Sequence, residues 1–270
     1  MNQEKAASGK AAISAKMRLA LFALACLCVL PGVLHIAWSM PHFAAHPLPY
    51  GDAINRAGVH ERHVTNMISA VNFDYRGFDT LGEEFMLLCA VSGVSVLLRG
   101  SRGEQRSAQP GVVKSRPVPQ RSEAMILITR CAAPAVLLFG VYVALHAMTT
   151  PGGGFQGGVI IASGTLLFFL GEGYHGWRKL IRSEVMDACE GLGASLYGLC
   201  GLASMVAGLP FLQNILPFGK TGDLFSGGLM LIENAGVTLA VAGGFTVLFV
   251  EFLEETRVDP NDADSEGGNS

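Results

Sequence analysis

Charge is scarce in this sequence: Asp, Glu, Lys and Arg make up only 15% of its 270 residues, and the formal net charge is -3. So small a balance excludes a basic surface of the kind that binds nucleic acid, and no nucleic-acid partner is expected. Cysteine is confined to Cys26, Cys28, Cys89, Cys131, Cys189 and Cys200, with no C-x-x-C pair and no histidines clustered beside them. All six lie in or at the ends of apolar runs, where buried thiols are the expected state rather than disulfides or a metal site. Nowhere does a nucleophile stand with a base and an orienting group, and no residues have metal-ligand spacing. Neither an enzyme, nor a cofactor, nor a metal centre is predicted. The G-x-G-x-x-G spacing of Gly152, Gly154 and Gly157 lacks the preceding strand that a dinucleotide site needs. Gly219-Lys220-Thr221 fails as the end of a phosphate loop, because Asn214 stands where that loop requires glycine.

What the chain has instead is apolar sequence and glycine: 50% of its residues are hydrophobic, 34 are glycine and the mean hydropathy is +0.40. The apolar residues form uninterrupted runs of ~20, long enough to cross a bilayer as helices. An all-α, polytopic membrane protein is predicted, with about six transmembrane helices over residues 17–40, 81–98, 124–147, 157–171, 190–209 and 230–253. The first run is too long for a signal peptide and has Leu30-Pro31-Gly32 inside it, so it reads as a retained helix kinked at proline, with a cleaved signal peptide as the alternative. Residues 41–79 read as a polar loop without positive excess. Arg99, Arg102, Arg106, Lys114, Arg116 and Arg121 crowd the next connection, and Arg178, Lys179 and Arg182 a later one. The positive-inside rule puts these basic segments and both termini in the cytoplasm of a multi-pass inner (cell) membrane protein. Four regions follow: a two-helix segment 1–100, a basic linker 101–122, a four-helix membrane domain 123–255 and a disordered acidic tail 256–270.

The stretch between Arg130 and Glu172 is uncharged and about twice the length of one span. Pro151 followed by Gly152, Gly153 and Gly154 must break it, since proline lacks a donor and glycine loses the most backbone entropy in a helix. A hairpin results between helices three and four. Its turn suits either a backbone packed against another helix or lining a cavity, or simply a tight connection. Gly236, Ala240 and Gly244 recur every four residues, as do Ala194 and Gly198, making stripes where helices approach closely.

Ionisable residues at membrane depth are the functional candidates. Glu83 and Glu84 enter helix two, and Glu233 helix six, about one turn below the outer boundary, with Glu83 the leading candidate, Glu84 its comparison and Glu233 the second candidate. Each carboxylate could serve an ion path or stabilise a helix N-terminus. His35 and His146 lie at similar depth, where a hydrogen-bonded structural role is the alternative, and Glu172 and His175 at the inner end of helix four could snorkel to the interface.

These motifs carry a resemblance. Thr150-Pro151-Gly152-Gly153-Gly154-Phe155-Gln156-Gly157-Gly158 with its flanking helices, over roughly residues 124–253, resembles the B-type (MnhB/MrpB) component of the multisubunit (Mrp or Mnh type) sodium/proton antiporters. Upstream, Asp74-Tyr75-Arg76-Gly77-Phe78-Asp79-Thr80-Leu81-Gly82-Glu83, within residues 67–99, looks like the C-terminal part of the A-type component, which is also the small E-type subunit of membrane-bound hydrogenases. The resemblance implies an accessory membrane subunit working with other membrane subunits of the complex, in the lipid bilayer, on sodium ions and protons. Asp79, Glu83, Glu84, Glu233 and His146 are then ion-path candidates, and Pro151, Gly152, Gly153, Gly154, Phe155, Gln156, Gly157 and Gly158 the structural motif. The pumping subunits of that family are larger and carry intramembrane lysines, which this chain lacks. It also departs in Glu233-Asn234-Ala235-Gly236-Val237, where an acidic residue is expected closer to the Gly-Val pair. The equivalent subunit of an energy-converting hydrogenase or complex I-like enzyme, and a purely structural scaffold, are the alternatives.

Overall fold

The computed structural model describes residues 15–40, 49–106 and 122–255, and every regular element among them is helical. The basic residues at the start of the chain, most of the 101–122 linker, the 256–270 tail and the side chain of His175 lie outside the described residues. Two compact units divide at Tyr50. The first holds α1 (Ala15–Ser39), an apolar helix with Pro31 inside it. The second holds α2 (Pro49–Arg62), the short α3 (Met67–Ala70) running into a π-helical turn (Val71–Tyr75), α4 (Gly77–Arg106), α5 (Glu123–Leu145), α6 (Gly154–Leu180), α7 (Ser183–Val206) and α8 (Met230–Glu255). Six helices, α1 and α4 to α8, are long and apolar enough to span a membrane.

Several boundaries differ from the sequence reading, and the reasons are physical. Much of the expected 41–79 loop is helical, because α2 buries Ile54 and Gly58 on one side and α3 is started by Asn66, whose side chain accepts the Ile68 N–H. Helix α4 runs on through Arg106, into the expected linker. Helix α6 continues past the apolar run to Leu180, turning at Gly173 (φ 74°), so Lys179 is helical. Helix α7 starts at Ser183 rather than at Glu190, since polar residues in a first turn do not stop a helix. The thiols are free, but only Cys200 is buried. Cys26, Cys28, Cys89 and Cys131 are exposed on the chain, because an apolar span turns part of its surface to lipid or to other subunits.

Helix α8 is the centre of the second unit and packs against α4, α6 and α7. Its neighbours approach at backbone distance. A Cβ on Gly236 would lie 3.0 Å from the Gly193 carbonyl of α7, and one on Gly158 of α6 would lie 3.0 Å from the Ala242 nitrogen. The Gly236, Ala240, Gly244 stripe is thus a packing face, whereas Gly198 on α7 meets nothing and Gly193 takes the place expected for it. Met148, Tyr197, Met230, Val237 and Val241 fill the core where these helices meet the α3 segment.

A cavity between the glycine hairpin and helix α4

The hairpin is closed from the α5 side by its own backbone. Thr149 and Thr150 both donate their N–H to the His146 carbonyl at 2.9 Å. Pro151 then directs the chain out of the helix, and Gly152 takes φ 130°, a conformation L side chains rarely adopt. Helix α6 begins at Gly154 and runs back antiparallel to α5, Gly157 resting on Ala144 and Gly164 on Leu137. Two asparagines hold the turn from outside it. Asn66 Nδ2 lies 2.8 Å from the carbonyls of Ala147 and Thr150 and 3.1 Å from that of Gly152. Asn234 of α8 accepts the Gly154 N–H at 2.6 Å and donates to the Ala144 carbonyl at 2.9 Å. These bonds satisfy backbone polar groups held away from water, each worth ~1–3 kcal/mol if left unpaired.

Between this turn and α4 lies a cavity of about 580 Å³, lined by the apolar side chains of Ile68, Phe73, Met86, Leu87, Ala90, Phe155 and Val237 and by the polar groups of Ser69, Asn72, Thr80, Glu83, Glu84, Gln156 and the Gly152 to Gly154 backbone. The hydroxyls of Ser69 and Thr80 donate to the carbonyls of Ala147 and Asn72, at 2.6 and 2.8 Å, and Ser69 Oγ also accepts from Asn66 Nδ2 at 2.9 Å. The two adjacent carboxylates differ sharply. Glu83 is exposed, whereas Glu84 is only 2% exposed and its Oε2 has no hydrogen-bond partner. Glu233, 1% exposed, likewise has no partner for either oxygen. A single charge held in the hydrocarbon layer costs ~3 kcal/mol or more, so such a carboxylate is stabilised by taking up a cation or a proton. Among the described residues no three His, Cys, Asp or Glu side chains stand together as a metal site.

The remaining sequence candidates lie elsewhere. Asp79 pairs with Arg76 on the exposed face of the first turn of α4. His146 caps α5, its Nδ1 2.9 Å from the Tyr142 carbonyl and its ring 4.0 Å from the Tyr142 ring, outside the lining of the cavity. Glu172 is ion-paired with Arg130 across α5 and α6. Phe155 lines the cavity and packs edge-on against Phe245.

Three features escape sequence reasoning. Glu190 and Glu251 are 5% and 2% exposed within α7 and α8. Both look like helix-end residues in the sequence, although Glu190 stands two turns inside its helix. The third is a cluster on α2 and the π-helical turn, where Arg62 pairs with Asp74 at 2.7 Å and its guanidinium lies 4.6 Å over the Tyr75 ring. Tyr75 donates to Glu61 at 2.6 Å. Burial raises the Asp74 carboxyl above its ordinary range against the pull of Arg62, and burial with the Glu61 hydrogen bond pushes Tyr75 up to about 12.

Comparison with known proteins covers both the hairpin region and the segment before it. Residues 124–247 match the family model described as a domain related to the MnhB subunit of Na+/H+ antiporter. The B-type component of the Na(+)/H(+) antiporter of Bacillus subtilis is 31% identical over 134 residues, 45% of this chain and 92% of that one. Among solved structures, a chain of the membrane-bound sulfane sulfur reductase, an archaeal respiratory membrane complex, superposes with TM-score 0.66 at 26% identity over 88% of this chain and 98% of its own. A chain of the Mrp complex from Dietzia sp. DQ12-45-1b shares the fold, with TM-score 0.64 at 21% identity over 92% of this chain and 26% of its own.

Proposed function

We propose, because this chain belongs to the family of the MnhB subunit of Na+/H+ antiporters, that it is a membrane subunit of a multisubunit cation/proton antiporter and lends its hairpin cavity to the ion path. The observation that carries this reading is the meeting of the glycine hairpin with Glu84, a buried carboxylate whose Oε2 lacks a hydrogen-bond partner, at one cavity. Sodium ions and protons are the ligands of this site, and larger membrane subunits its partners. In this reading residues 1–100 and 123–255 are two building blocks joined by the 101–122 linker, with both termini cytoplasmic. The cavity then opens toward the outer half of the membrane.

The test compares exchange per assembled complex for Glu83→Gln, Glu84→Gln and Glu233→Gln. A loss of at least about tenfold in Glu84→Gln at normal assembly is expected, equivalent to a barrier raised by ~1.4 kcal/mol. Full exchange in all three would leave the carboxylates structural and favour the scaffold alternative. The chain reconstituted alone is expected to move neither ion, and exchange by it would refute the accessory role.

A second reading, the same component within a redox-driven respiratory complex, is favoured by the sulfane sulfur reductase chain, which this chain covers over 98% of its length. Co-purification of redox subunits would select it, and the cavity would keep the same role.

A further inference from the structure

The cavity is the upper end of a polar seam. On α4, Thr80, Glu84, Val91 and Ser95 are buried, and their spacing places them on one face. On α8, Glu233, Val237, Ala240, Gly244 and Glu251 are buried and share one face in the same way. Glu190 of α7 enters between these faces, since a Cβ on Gly244 would lie 3.1 Å from Glu190 Oε1 and 3.2 Å from Val91 Cγ2. Glycine at 244 therefore leaves the space that the carboxylate fills.

Several polar atoms along the seam lack partners. Glu84 Oε2, Glu190 Oε1, both oxygens of Glu233 and Ser95 Oγ are buried without a hydrogen-bond partner. Carboxylates retained for packing alone would be paired, because an unpaired buried one is strongly destabilising. The buried carboxylates Glu84, Glu190 and Glu251 are regularly spaced along the bundle. Val237 lines the cavity with Glu84, Gly244 marks the level of Glu190, and Glu251 lies two turns further. At 1.5 Å rise per residue these levels are roughly 10 Å apart. Ser95, one turn beyond Val91, falls between the last two.

We infer that Glu84, Glu190 and Glu251 form a proton relay through the seam of α4, α7 and α8, connecting the hairpin cavity with the opposite end of α8. The inference rests on the antiporter reading and adds a route that the cavity alone does not supply. A proton taken up by the Glu84 carboxylate passes through water to the Glu190 carboxylate, and from there past the Ser95 hydroxyl to Glu251. Each donor returns to its anion as its acceptor becomes the acid, so the seam gains no net charge once the proton leaves at the Glu251 end.

The test uses the assembled complex with Glu84→Gln, Glu190→Gln and, as control, Glu184→Gln on the exposed first turn of α7. Proton flux per complex is expected to fall at least about tenfold in Glu190→Gln and to stay within about twofold in Glu184→Gln. Loss in Glu84→Gln with a normal rate in Glu190→Gln would overturn the relay and leave the cavity reading standing; normal rates in both would overturn both. If Glu190→Gln fails to assemble, the unaltered complex decides. A carbodiimide that modifies protonated carboxyl groups in apolar surroundings is expected to label Glu190, located by peptide mass, and to block flux in proportion. A complex fully inhibited with Glu190 unlabelled, or labelled there with flux intact, would refute the relay.

Discussion

Asn234 of α8 holds both arms of the hairpin at once, accepting the Gly154 N–H at 2.6 Å and donating to the Ala144 carbonyl at 2.9 Å. One side chain on the central helix thereby fixes the end of α5, the start of α6 and the wall of the cavity. The same residue follows Glu233, so the turn and a buried carboxylate are positioned by a single step of one helix.

Asn234→Ala leaves the buried Gly154 N–H without its acceptor and takes one of two donors from the Ala144 carbonyl, so it is expected to lower stability by ~1–3 kcal/mol. Asn234→Asp, which keeps the acceptor but sets a buried carboxylate against the Ala144 carbonyl, should be destabilised at least as much as Asn234→Ala. Thermal unfolding of the detergent-solubilised chain checks the order, and equal midpoints for the three proteins would refute it.

The hairpin glycines are expected to differ from one another. A Cβ at Gly154 would meet the nitrogen and hydroxyl of Thr238 at 3.0 Å as well as the Asn234 carbonyl, so Gly154→Ala should cost ~1–3 kcal/mol by overpacking. At Gly153 the nearest atoms are Gln156 Oε1 at 3.4 Å and Asn234 Oδ1 at 3.6 Å. Gly153→Ala should therefore stay within ~1 kcal/mol. Yields of folded protein and unfolding midpoints give the comparison.

Asp74 sets a pH dependence. Burial raises its carboxyl above the ordinary 3.8, Arg62 opposes the rise and Glu61 adds to it. The folded protein thus holds this proton more tightly than the unfolded chain. Its stabilising contribution is present below the ordinary carboxylate range and lost as pH rises through the raised value. The difference in unfolding midpoint between the native chain and Asp74→Asn should shift against the native chain as pH increases over that interval. A difference independent of pH would refute the assignment.

Orientation is tested by cysteine substitution on a background lacking the native thiols. Asp223→Cys, in the loop before α8, is expected to react with an impermeant reagent applied outside, and Lys179→Cys only after the membrane is opened. The reverse pattern would invert the topology and turn the cavity toward the cytoplasm.

The class of fold was legible in the sequence because the bilayer imposes it. Uncharged runs of ~20 residues have no other stable form there, and a Pro-Gly-Gly-Gly stretch has no place inside a helix. Glu83, Glu84 and Glu233 were visible for the same reason, as charges where charge is costly. Which carboxylate is buried was not visible. Residues 83 and 84 lie about 100° apart on one helix, and only the packing of α4 on α8 turns Glu84 inward and leaves Glu83 exposed. Asn66 and Asn234 are ordinary polar residues in sequence. They become clamps only because tertiary contacts bring them across 86 and 80 positions of chain to Gly152 and Gly154. Glu190 faces Gly244 for a like reason, since a residue's neighbours in a helical bundle are set by which helices touch and in what register, information that local periodicity does not carry.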